Sequence, residues 1–91
     1  MSNAVDDPVA EHLLHISPNP FKDYLNINCD CELELDGVLY NMYGEKIMEQ
    51  TMDFRQGVAS FRTNDLAPGI YILIGFDQSG KKYFAEKLIK G

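Results

Sequence analysis

The segment Leu66-Ala67-Pro68-Gly69-Ile70-Tyr71-Ile72-Leu73-Ile74 carries the clearest structural information in this sequence. Its first half predicts a tight corner, at which Gly69 supplies a backbone angle that other residues resist. Its second half predicts a strand that is apolar on both faces and therefore buried at the centre of a sheet. We expect Tyr71 to pack with its hydroxyl group hydrogen-bonded near the corner, as tyrosines in β-sandwiches do.

Short strand-like runs continue on both sides of this segment. Alternating apolar and polar residues, separated by turn signals, predict strands over residues 13–16, 24–29, 32–41, 46–52, 58–63, 70–77 and 81–90. No stretch after Pro20 shows the spacing of an amphipathic helix. Seven short strands at this spacing predict an all-β fold, an immunoglobulin-like β-sandwich of about seven antiparallel strands.

Two tetrapeptides predict the hairpins of this sandwich. Asn41-Met42-Tyr43-Gly44 and Asp77-Gln78-Ser79-Gly80 each place Asn or Asp first and Gly fourth, as type I turns do. Asp36-Gly37 is a further turn signal inside the run 32–41. It either splits this run or marks a β-bulge, and the bulge is favoured because residues 38–40 alone are too short to pair well.

Length and charge limit the classes of function. A chain of 91 residues can form one core, and a deep catalytic pocket would compete with that core for side chains. The net charge of −6 makes nucleic acid an unsuitable partner, because phosphate binding requires a basic surface. No apolar run is long enough to cross a membrane, so membrane insertion is not expected. The last eleven residues are locally basic, with four lysines and one glutamate: Lys81, Lys82, Glu86, Lys87 and Lys90.

Several side chains are of the types that bind metals or act as nucleophiles. Cys29 and Cys31 are interpreted as free, partly buried thiols, with a metal-binding pair as a remote alternative, because a bridge across one residue is strained. Glu11, His12 and His15 lack a zinc-site spacing. An acidic run is expected to line one solvated strand face, with a calcium site as the less favoured alternative: Asp30, Glu32, Glu34 and Asp36. The sequence therefore predicts no metal, no cofactor and no catalytic residue.

The N-terminal residues are expected to lie outside the folded domain. Residues 1–4 have the composition of an expression-tag remnant, and residues 5–13 are interpreted as a linker. A short helix starting at Asp7-Pro8 is the alternative. The folded domain is then predicted over residues 14–91. No signal peptide is present, so an exported protein would carry one further upstream.

Four segments, taken in order, resemble one protein family. They are Ile16-Ser17-Pro18-Asn19-Pro20-Phe21 with the strand after it, Tyr40-Asn41-Met42-Tyr43-Gly44-Glu45-Lys46-Ile47, Leu66-Ala67-Pro68-Gly69-Ile70-Tyr71, and Lys87-Leu88-Ile89-Lys90. Each segment alone is common in proteins. Together, with the last at the C-terminus, they resemble the type A C-terminal sorting domain of cargo exported by the bacterial type IX (Por) secretion system.

This resemblance implies a role in export. The outer-membrane translocon would recognise the domain after transit through the periplasm, and a cell-surface sortase would cut it from the upstream passenger, within or near residues 5–13. We expect the recognition element at Lys87, Leu88, Ile89 and Lys90. The remaining motif residues are expected to be mainly structural: Pro18, Asn19, Pro20, Gly44, Pro68, Gly69 and Tyr71.

Two other classes of function compete with export. An adhesive or carbohydrate-binding sandwich appended to a surface enzyme is the alternative, and exposed Tyr and Phe on one sheet face would favour it. A small hydrolase would need a nucleophile and a base in one cleft, and the sequence offers no such pair. An unpaired last strand could in addition form a dimer through the sheet edge.

Overall fold

The computed structural model describes residues 14–91, and within them it contains seven β-strands and no helix. The strands are β1 (Leu14–Ser17), β2 (Tyr24–Cys29), β3 (Glu34–Asn41), β4 (Lys46–Asp53), β5 (Val58–Arg62), β6 (Gly69–Phe76) and β7 (Lys82–Lys90). These bounds confirm the predicted strands to within two residues at each end. The predicted tag remnant (1–4), the linker (5–13) and the possible helix at Asp7 lie outside the described residues.

The strands form two antiparallel sheets. One has the order β1-β2-β5 and the other the order β4-β3-β6-β7. Side chains from both sheets make one apolar core, which includes Leu25 and Phe61 of the first sheet and Leu39 and Leu73 of the second, all fully buried. This arrangement confirms the all-β sandwich of seven antiparallel strands.

The two hairpins form as predicted, and each is held by its first residue. The side-chain oxygen Oδ1 of Asn41 accepts hydrogen bonds from the backbone N–H groups of Tyr43 and Glu45 at 2.9 and 3.0 Å. Oδ1 of Asp77 accepts from those of Ser79 and Lys81, each at 2.9 Å. The Ser79 hydroxyl also donates to this carboxylate, which lowers the pKa of Asp77. These short-range bonds explain why both turns could be predicted from four residues.

The corner before β6 also forms as predicted. The Tyr71 hydroxyl donates to the backbone oxygen of Ala67 at 2.6 Å. Gly69 has a φ of +151°, an angle that L side chains rarely adopt. The corner therefore closes on the ring of Tyr71, which is buried, and directs the chain into β6.

The prediction that β6 is buried on both faces was wrong. This strand is central in hydrogen bonding, between β3 and β7, and it buries Tyr71 and Leu73 on its inner face. Ile70 and Ile72 on its outer face are 39% and 36% exposed. The three-stranded sheet packs against the inner face, and the outer face leaves these two side chains partly exposed.

The prediction of a β-bulge at Gly37 was also wrong. Gly37 pairs in an unbroken ladder with Gln50 on β4 and Gly75 on β6, and the register shift in β3 lies instead between Leu39 and Tyr40. A Cβ atom at position 37 would lie 2.7 Å from Cζ of Phe61 and 2.8 Å from Sδ of Met52. Glycine is therefore required here by packing, since the Phe61 ring lies directly against the backbone.

We predict that Gly37→Ala lowers the free energy of unfolding by about 1–3 kcal/mol, the usual effect of overpacking a core. In a domain of this size, that change lowers the melting temperature by at least about 4 °C. Thermal and urea unfolding would measure it. The control is Phe61→Leu, alone and combined with Gly37→Ala, because the smaller side chain relieves the collision and should make the two effects less than additive. Unchanged stability of Gly37→Ala would contradict this assignment.

Candidate functional site

The end of β7 is paired with the segment that follows β1. The backbone N–H of Phe21 donates to the oxygen of Ile89 at 2.8 Å, and the N–H of Gly91 donates to the oxygen of Phe21 at 2.9 Å. These two bonds make a parallel bridge between Phe21 and Lys90, here called the Phe21 bridge. Before the bridge, along the rest of its length, β7 is the edge strand of its sheet. The outer edge of the last strand, which the sequence left open for a dimer, is therefore occupied at its C-terminal end.

Asn19 adds a third bond to this junction. Its side-chain oxygen Oδ1 accepts from the backbone N–H of Ile89 at 3.1 Å. The Asn19 side-chain oxygen thus takes the place that a backbone carbonyl oxygen of a neighbouring strand would have for this N–H. The middle residue of the Pro-Asn-Pro motif thus has a definite structural role, as a cap on β7.

The ring of Phe21 anchors the junction in the core. Phe21 is fully buried, and its ring lies edge-on to that of Tyr71 with 6.0 Å between the ring centres. Thr63 fixes the chain after Phe21, because its hydroxyl donates to the oxygen of Lys22 and its N–H to the oxygen of Asp23, at 2.9 and 2.8 Å. The first motif, the corner and the last motif therefore meet around two aromatic rings.

The remaining motif lies at the same end of the sandwich. The first hairpin turn begins at Asn41, which pairs with Tyr71 on β6. The residue before Tyr71, Ile70, pairs with Ile89 on β7. All four motif segments thus converge on one end of the sandwich, here called the signature end. Leu14 lies at the opposite end, where it pairs with Cys29.

The predicted recognition residues divide into two pairs. Leu88 and Lys90 point inward and are 2% and 9% exposed. Lys87 and Ile89 point outward, and Ile89 is 46% exposed. A strand turns successive side chains to opposite faces, so only Lys87 and Ile89 present their side chains to a partner while the domain is folded.

The motif residues expected to be structural have structural positions. Gly44 has a φ of +81° and closes the first hairpin turn, while Pro68 and Gly69 form the corner. Pro18, Asn19 and Pro20 form an exposed connection whose Ser17–Pro18 and Asn19–Pro20 peptide bonds are both cis.

The prediction of free thiols was wrong. The structure joins Cys29 and Cys31 in a disulfide, and no free cysteine occurs in residues 14–91. The strand β2 ends at Cys29 and the chain bends at Asp30, which brings the two Cα atoms to 5.3 Å, within the usual range for a bridge. Both cysteines are buried in the core.

The acidic run does not line one strand face, which corrects another local prediction. Asp30 and Glu32 belong to the connection between β2 and β3, and only Glu34 and Asp36 share a strand. Within residues 14–91, no three His, Cys, Asp or Glu side chains are grouped closely enough to hold a metal ion. His15 is exposed on β1, while Glu11 and His12 lie outside the described residues.

Several ionisable groups have shifted pKa values because of local contacts. Arg55 donates to Asp53, which lowers the pKa of this carboxyl group to about 2, and Glu49 raises the pKa of Lys46 through an ion pair at 2.9 Å. Burial raises the pKa of Tyr83. No helix among the described residues is long and apolar enough to cross a membrane.

Surface depressions in the sandwich are shallow. A depression of about 390 Å³ is lined by Asp23, Tyr24, Arg62 and Asn64, and another of about 340 Å³ lies beside the first hairpin turn. Neither brings a nucleophile and a general base together in an enclosed cleft.

Sequence reasoning missed Phe21 and the exposed outer face of β6. Phe21 follows a Pro-Asn-Pro turn directly, and a large aromatic residue at the end of such a turn was the available signal for an anchor. Its partner Lys90 is 69 positions further along the chain, beyond the reach of a local pattern.

We predict that Asn19→Ala exposes the Ile89 amide and costs about 1 kcal/mol of stability, the usual effect of losing one such hydrogen bond. Hydrogen exchange at the Ile89 amide should become at least about fivefold faster, because 1 kcal/mol is a factor of about five in an opening equilibrium. Asn19→Asp keeps the acceptor oxygen and is the matched control. Equal protection of Ile89 in the wild type and in Asn19→Ala would show that this bond does not hold β7.

Comparison with known proteins identifies a family. The family model described as the secretion system C-terminal sorting domain matches residues 15–90, a range that reaches from β1 to the last residue of β7 and includes the four motif segments. Comparisons with curated proteins and with solved structures gave no match. Members of this family act as sorting signals and not as catalysts. The chain therefore belongs to the C-terminal sorting domains of the type IX secretion system and directs an upstream passenger out of the cell.

Proposed function

We propose that the outer-membrane translocon of the type IX system recognises this domain at its signature end, and that a cell-surface sortase then cuts it from the passenger within residues 5–13. One observation carries the proposal. The four motif segments, far apart in the sequence, are joined by backbone pairing at the end of the sandwich that holds the C-terminal strand.

The position of the passenger supports this assignment. Any upstream polypeptide enters β1 at Leu14, beside Cys29, at the opposite end from the Phe21 bridge. A strand of six residues, the length of β2, spans about 20 Å. The signature end can therefore contact the export machinery while the passenger is attached and folded.

Within the last strand, we assign two different roles. Leu88 and Lys90 hold β7 in the core and against Phe21, while Lys87 and Ile89 supply the contacts to the translocon. An exposed lysine acts mainly on the rate and orientation of encounter, and an exposed isoleucine contributes apolar contact area. Recognition in this proposal requires a folded strand, not an extended tail.

Removal by a sortase fits the fold as well. The proposed cleavage region precedes β1, so a cut there breaks none of the strand pairs that the structure contains. The passenger then reaches the cell surface or the medium.

We predict that residues 5–91 direct a folded reporter with its own signal peptide to the surface or medium of a host that has a type IX system. A host without the translocon, and the same reporter without the domain, are the controls. Retention of the fused reporter in the periplasm of the competent host would contradict the proposed function.

The released reporter should end within residues 5–13. Mass spectrometry of its C-terminal peptide identifies the cleaved bond, and a host that lacks the sortase should retain the uncut fusion. A released reporter that still carries the intact sandwich would contradict the proposed cleavage.

A further inference from the structure

The outer face of the four-stranded sheet presents an apolar block at the signature end. Ile70, Ile72 and Ile89 are 39%, 36% and 46% exposed, and Lys87 is exposed beside them. Ile70 pairs with Ile89 and Ile72 pairs with Lys87, so the four side chains share one face of two adjacent strands. We call these four residues the isoleucine patch.

Hydrogen bonding shows that the patch is closely packed. The N–H and C=O groups of Ile89 both point away from β6, toward Asn19 and Phe21. Ile70 and Ile89 are therefore a non-hydrogen-bonded pair, and by alternation so are Ile72 and Lys87. Side chains in such pairs lie closer together than in hydrogen-bonded pairs, which makes the patch a continuous surface.

The patch extends toward the first hairpin turn. A shallow groove of about 340 Å³ begins at Ile72 and Ile74 and is lined further by Tyr40, Asn41, Met42 and Gly44. Met42 at its rim is 62% exposed. The apolar surface thus joins three of the four motif segments.

The core does not require these isoleucines. The inner face of the same strands is already filled by Tyr71, Leu73 and Leu88, all at most 6% exposed. Threonine also favours strands, so it would suit these outward positions as well as isoleucine does. A contiguous exposed apolar surface on a small domain is typical of a binding site.

Charge indicates the kind of partner. Lys87 is positive on a chain of net charge −6 and forms no ion pair with any of residues 14–91. The nearest charged pair on the same sheet, Lys46 with Glu49 on β4, is mutually neutralised. An acidic partner surface is attracted to the patch and repelled by the rest of the domain.

We propose that the isoleucine patch is the surface that the translocon binds, and that its partner is an apolar protein surface with a carboxylate placed to meet Lys87. This inference rests on the proposed function and extends it from the end of the chain to β6. A linear C-terminal tag would depend on Lys87 and Ile89 alone, whereas the patch depends equally on Ile70 and Ile72.

The test is export of the reporter joined to residues 5–91, with substitutions confined to the patch. Ile70→Thr with Ile72→Thr should lower the exported fraction about tenfold, as the loss of central contacts in an interface does. Val58→Thr is the matched control, because Val58 is 46% exposed on the other sheet. Normal export of the double variant would overturn the proposal.

Charge is tested on the same strand. Lys87→Glu should reduce export about tenfold, since it opposes the partner carboxylate, and Lys87→Arg should preserve export. Lys82→Glu, also exposed on β7, is the control and should change export less than about twofold, as a charge outside an interface does. An equal loss of export in Lys87→Glu and Lys82→Glu would indicate a general charge effect and contradict the proposed role of the patch.

Two further measurements separate the remaining outcomes. Thermal unfolding of the purified fusions checks folding, and Lys87→Glu, which changes only an exposed side chain, keeps the test valid if the isoleucine variants are unstable. The second measurement is the oligomeric state of the purified domain. If the wild-type domain is a dimer that the isoleucine substitutions dissociate while export stays normal, the patch is a self-association surface and the proposal is wrong. Failure of the wild-type fusion to be exported would instead refute the proposed function itself.

Discussion

The bridge between Phe21 and the end of β7 is the contact on which the rest of this structure depends. Two backbone hydrogen bonds and the side chain of Asn19 join residues about 70 positions apart, and the buried Phe21 ring fixes them to Tyr71. Without this contact the last three residues would have β6 alone as a neighbour, at the edge of a sheet. Terminal segments that are not tied down in this way are usually poorly ordered.

Fixing the last strand determines which of its side chains are available. In a disordered tail, all four residues from Lys87 to Lys90 would be equally accessible. In the paired strand, Leu88 and Lys90 face inward, and Lys87 and Ile89 join Ile70 and Ile72 on the outer face. The fold thereby converts a short terminal sequence into part of a broader surface, and a binding partner can distinguish a folded domain from an unfolded one.

Features that depend on neighbouring residues were predictable from the sequence. The turns at Asn41 and Asp77 form through bonds that span at most four residues, and the Tyr71 hydroxyl bonds to a backbone oxygen four residues earlier. The strands and the fold class followed from alternation. Residue pairs that are distant in the sequence were not predictable, since Gly37 is explained by Phe61 and Met52, and Asn19 by Ile89. The outer face of β6 was misjudged because its sequence pattern gives no information on which sheet faces are covered.

The accessibility of the last strand is the most direct test of this account. Single cysteines at positions 87, 88, 89 and 90, in the folded domain attached to a passenger, can be labelled with a thiol reagent, because Cys29 and Cys31 are joined in a disulfide. We expect rapid labelling at 87 and 89, and protection at 88 and 90 that is lost when the domain is unfolded. Uniform labelling at all four positions would show a free tail and contradict the account.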